Sequence, residues 1–93
     1  MEQPTVAMEL GERIDVAEIL SLKHALDILP VNTPSQVLNA AKVTHMDSAS
    51  CQLLYVYSQY LLTFNSALII ATPSAQFTAA VNALGFATHF NYS

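Results

Sequence analysis

Charge is what this sequence has least of. Only 11% of its 93 residues are charged, against about 25% in an ordinary globular chain. The strong bases are Arg13, Lys23 and Lys42, spread apart along the chain. Nucleic-acid binding starts with Lys and Arg neutralising phosphates, so composition argues against a nucleic-acid partner. The same scarcity leaves no polybasic patch for an anionic membrane surface. One cysteine, Cys51, allows no internal disulfide and points to a reducing, cytoplasmic setting. Two glycines, Gly11 and Gly85, are too few for a phosphate-cradling glycine-rich loop. His24, His45 and His89 are far apart and show no zinc spacing, so neither a metal nor a cofactor is expected. No apolar run reaches the ~20 residues of a membrane-spanning helix, so no direct membrane insertion is expected. The stretch Met1-Glu2-Gln3-Pro4 lacks the basic and apolar parts of a signal peptide.

What is present is apolar residue, 53% of the chain. That is enough for one modest core, so residues 1–93 read as a single domain. Thr5 to Leu10 alternates as a strand, with Val6, Met8 and Leu10 on one side. Asp15, with Glu18 three residues on, reads as a capping box opening a helix to about Leu29. Ile19, Leu22, Leu26 and Leu29 give that helix an apolar stripe. Lys23, His24 and Asp27 fall off the stripe, and so, less expectedly, does Leu20. Pro30 ends the helix. Ser35 to Ala40 is a second strand, and Val43 to Met46 leads into the next helix, which Asp47 or Ser48 can cap and which runs to about Leu62 or Thr63. After a turn at Phe64-Asn65, Ser66 to Ala71 is a continuous apolar run, as in a buried central strand. Thr72-Pro73 reads as the cap and first residue of a third helix. Gly85 closes it, Phe86 packs back on it, and Phe86 to Phe90 adds an edge strand. The order β-α-β-α-β-α-β predicts an α/β fold with a small, mostly parallel sheet and three helices mainly on one face.

The second helix carries the functional reading. At about 100° per residue, Ser50, Leu53, Leu54, Tyr57, Tyr60 and Leu61 fall on one side, the expected core side. Ser48, Gln52, Tyr55, Gln59 and Leu62 fall opposite, with no charge among them. Solvent-facing helices ordinarily carry Lys and Glu there. Hydroxyls, amides and an aromatic ring suit a surface that docks a partner. A second copy of the domain is as compatible with this face as a different protein. His45, Asp47, Ser48 and Cys51 are residue types found in hydrolase sites. They crowd one turn, however, whereas catalytic triads join separated segments. A thiol near a helix start can be activated, but a small buried thiol is the commoner case. The free N–H groups at Ser48–Ser50 can in principle seat a phosphate.

The stretch Val43-Thr44-His45-Met46-Asp47-Ser48-Ala49-Ser50-Cys51-Gln52-Leu53-Leu54 resembles the signature of STAS domains, in which a strand ends in an apolar residue and Asp before a hydroxyl residue and an apolar helix. Leu10-Gly11-Glu12-Arg13-Ile14-Asp15, Leu68 to Ser74 and Leu84-Gly85-Phe86 resemble further turns of that family. The resemblance implies a STAS-like fold and a non-catalytic regulatory module that binds proteins. It implies a signalling partner such as a kinase-like anti-sigma factor. Alternatively, it implies a subunit regulating the ATPase of a phospholipid-transport ABC complex. In anti-sigma factor antagonists a Ser or Thr of the Asp-Ser turn is phosphorylated. By position, Asp47 matches the family aspartate and Ser48 the hydroxyl after it, the phosphorylation candidate. The second hydroxyl of some members is Ala49 here, and the family glycine is Ser50. Asp47, Ser48, Gln52, Tyr55 and Gln59 are the expected partner-binding residues.

Overall fold

The computed structural model describes residues 6–93. Thr5, the first residue of the expected opening strand, and the stretch Met1 to Pro4 lie outside the described residues.

Among the described residues, six strands and three α-helices follow one another. Strand β1 is Val6–Glu9, β2 Arg13–Ile14 and α1 Ile19–Asp27. Strand β3 is Ser35–Asn39, β4 His45–Met46 and α2 Ser48–Leu62. Strand β5 is Ala67–Ala71, α3 Ala75–Ala83 and β6 Asn91–Tyr92. The main sheet has the order β1-β3-β5-β6, and its pairings are all parallel. Each crossover therefore steps the same way across the sheet. Right-handed connections that all step one way put their helices on one face. The core agrees. Leu22 and Leu26 of α1, Leu54 and Leu61 of α2, and Phe77 and Val81 of α3 share one cluster with Leu38, Leu68 and Ile70. The expected α/β architecture is what the structure shows.

Several local expectations are corrected. The first helix opens with a 3-10 turn, Val16–Glu18. The Asp15 carboxylate accepts from Ala17 N–H at 3.1 Å, while Glu18 N–H goes to the Asp15 backbone carbonyl at 2.9 Å. The capping box therefore does not close. At the third helix the cap is Ser74, not Thr72. Ser74 Oγ accepts from Phe77 N–H at 3.0 Å and donates to the Val43 carbonyl at 2.6 Å. Thr72 instead takes a left-handed turn (φ 51°) out of β5. The expected edge strand Phe86 to Phe90 is a 3-10 turn, Ala87–His89, and the edge strand follows it as β6. Gly85 does end α3, at φ 80°. Phe86 N–H reaches back to the Val81 carbonyl at 2.8 Å, and its ring packs on the core.

A second, two-stranded parallel ladder joins β2 to β4, with Arg13 beside His45 and Ile14 beside Met46. It is anchored by the Glu12 carbonyl, which accepts from Thr44 N–H at 2.7 Å and His45 N–H at 3.1 Å. This ladder brings the start of α1 next to the start of α2.

Candidate functional site

The start of α2 is built around Asp47. Its backbone is extended, and its carboxylate serves two segments at once. Oδ1 accepts from Ser50 N–H at 3.0 Å, which caps α2. Oδ2 accepts from Val16 N–H at 2.7 Å, on the turn that leads into α1. Capping satisfies one of the orphan donors that every helix start leaves free. The second bond ties the two helix starts together. The Ser50 N–H lowers the Asp47 pKa most; partial burial opposes this, and the Val16 N–H adds to the lowering.

Next to it, Asp15 is buried and gripped by Arg13, whose Nε and Nη2 donate to Oδ2 at 3.1 and 2.7 Å. That hydrogen-bonded pairing holds the Asp15 carboxyl below its ordinary pKa and raises the guanidinium's. His45 Nε2 stands 3.8 Å from the same carboxylate oxygen. The imidazole therefore faces Asp15 and not Ser48.

Ser48 is exposed at the first position of α2. Cys51 is fully buried, and burial pushes its thiol up to about 11. A thiol so placed is the opposite of an activated nucleophile. The four chemistry-bearing side chains of this turn therefore have separate surroundings: Asp47 on backbone N–H groups, His45 toward Asp15, Cys51 in the core and Ser48 in solvent.

The sheet order also bears on ligands. Open α/β sheets bind nucleotides where the strand order reverses. The order β1-β3-β5-β6 has no reversal among the described strands. No group of metal-ligating residues is found among them either, and no helix of the described residues is long and apolar enough to cross a membrane.

Along α2, Gln52 and Gln59 are exposed as expected. Tyr55 is half-buried: its ring lies 5.7 Å from that of Phe86 and 5.1 Å from that of His89. Tyr60, expected in the core, is 49% exposed. Val56, which sequence reasoning did not single out, is 61% exposed. The open strip is thus turned toward Val56 and Tyr60. The cause lies on the other side, where Cys51 and Ser58 are buried. Ser58 Oγ donates to the Tyr55 carbonyl at 2.6 Å, so its burial costs little. Hydropathy alone assigns that small polar residue no place in the core.

Between α1 and α2 runs an apolar groove of about 210 Å³. Leu26, Leu53, Val56 and Tyr60 line it, with Lys23 and Asp27 on the α1 lip. Lys23 and Asp27 are ion-paired at 2.7 Å. Leu20, 79% exposed, stands on the same ridge as Lys23, three residues earlier. Leu20 itself does not line the groove.

No family model, curated protein or solved structure matches the chain.

Proposed function

We propose that this domain is a non-catalytic, STAS-type interaction module that works by docking a signalling protein in a reducing compartment. One observation carries the reading. The longest helix, α2, has 15 residues and not one charge, yet a full side of it faces solvent. Uncharged amides beside exposed apolar side chains are the makeup of an interface. Ser48, Gln52 and Gln59 present the polar part of this face, Val56 and Tyr60 the apolar part, and Tyr55 is a packed edge. Ser48 is the modification candidate. A phosphate there would add about −1.5 to −2 charges at the helix start, directly beside the Asp47 carboxylate.

The test is capture from native cell extract with the wild-type domain and with a Gln52→Arg/Gln59→Arg variant. Both positions are exposed, so circular dichroism should show an unchanged fold. The wild type should retain a partner that the variant loses. Equal retention by both would show that the face is wrong. The captured protein decides between readings: a kinase-like regulator supports signalling, and an ABC ATPase supports the transport alternative. Intact mass after incubation with a captured kinase should show one added phosphate, absent in Ser48→Ala.

A further inference from the structure

The α1–α2 groove has a polarity that selects its occupant. All three strong bases of the chain are matched to a carboxylate: Arg13 to Asp15 at 2.7 Å, Lys23 to Asp27 at 2.7 Å, and Lys42 to Glu9 at 3.7 Å. Among the described residues, the carboxylates without such a partner are Glu12, Glu18 and Asp47. They are not scattered. Glu12 holds Thr44 and His45 through its backbone carbonyl, Glu18 ends the 3-10 turn before α1, and Asp47 caps α2. The surplus negative charge therefore collects where both groove-lining helices begin. The groove floor, at Leu53 and Val56, lies roughly 9 to 14 Å further along α2 at 1.5 Å per residue.

We infer that the groove takes an amphipathic helical segment of a partner protein, its apolar stripe on Leu53, Val56 and Tyr60 and its basic end over Glu18 and Asp47. A helix fits because two neighbouring helices offer a channel for the ridge of a third. A basic end fits because the free charge of this surface is acidic. A second copy of this chain fits poorly, since it carries a formal net charge of −4 and only three strong bases, each within reach of one of its own carboxylates. The inference rests on the reading of the domain as an interaction module, and adds the location and chemistry of the partner.

The probe is a designed 16-residue amphipathic peptide with a leucine stripe and three arginines at one end. Its control carries three glutamates in their place. Both are titrated into the ¹⁵N-labelled domain. The arginine peptide should give saturable amide shifts along Leu20–Asp27 and Leu53–Tyr60. The glutamate peptide should bind at least about tenfold more weakly. Val56→Asp, at an exposed position, should abolish the shifts without altering thermal unfolding, and Glu18→Lys should weaken binding severalfold. Equal binding of both peptides, shifts elsewhere, or no binding would overturn the inference. So would a concentration-dependent dimer in sedimentation that Val56→Asp removes, because the groove would then belong to a second copy. Failure here is separable from failure of the broader reading. An extract partner lost with Gln52→Arg/Gln59→Arg but retained by Val56→Asp removes the groove and leaves the module.

Discussion

Replacing Asp47 tests the junction on which both helices depend. Asp47→Ala removes the cap on Ser50 N–H and the bond to Val16 N–H together. Loss of an N-cap costs about 1 kcal/mol. The second bond, a charge-assisted one at 2.7 Å, contributes about 1 kcal/mol more. The site is partly open to water, which keeps both values toward the low end of their ranges. The total is about 2 kcal/mol. A domain of this size loses about 4–8 °C of melting temperature per kcal/mol, so the variant should melt roughly 10 °C below wild type. Asp47→Asn separates the two bonds. Asparagine caps as well as aspartate, but its amide turns a donor where the carboxylate offered a second acceptor. It should therefore lose about 1 kcal/mol, half the effect. The sign with pH follows from the lowered pKa of Asp47. A carboxylate whose folded pKa lies below its unfolded value of about 3.9 stabilises the fold above that pH. The contribution disappears as pH falls through the folded value. The gap between wild type and Asp47→Asn should thus be constant near neutrality and close in acid. Denaturant melts at a series of pH values measure it. An Asp47→Asn variant as stable as wild type at pH 7, or a gap that widens in acid, would refute the account.

Other consequences are as direct. Cys51, buried with its thiol pushed up to about 11, should resist thiol reagents at pH 8 in the native protein and react at once in denaturant; rapid native labelling would show an open helix start. Thr72 sits at φ 51°, where a β-branched residue is strained by about 1–2 kcal/mol; less glycine's entropy cost, Thr72→Gly should stabilise the fold by up to about 1 kcal/mol and raise the urea midpoint. A lowered midpoint would mean that the threonine side chain supports the turn.

The order of elements was legible because strand and helix periods alternate cleanly along the chain. Ser66 to Ala71 could hardly be anything but a covered strand, and Asp47 was one of two residues able to cap α2. What was hidden depends on contacts between distant residues. The β2–β4 ladder has two residues in each strand, too few for any period to show. Thr72 and Ser74 are equally good caps in isolation. Ser74 is chosen because its hydroxyl also reaches the Val43 carbonyl, 31 residues away in sequence. The face of α2 was read slightly out of rotation for a similar reason. Ser58 looks like a surface residue until its hydroxyl is seen turned onto the Tyr55 carbonyl. The groove is formed by residues of both α1 and α2, so the pattern of neither helix alone could show it.

The strand order has a consequence for how the domain is assembled. Every strand of the main sheet pairs with the next strand of that sheet, and none must wait for a segment from the far end. Paired residues lie 30–32 positions apart in the first two steps and 22 apart in the last, so loop-closure entropy is similar throughout. The sheet can therefore grow by accretion, one strand and one helix at a time, each finished edge being the template for the next arrival. A chain emerging from synthesis presents its strands in the order in which the sheet consumes them.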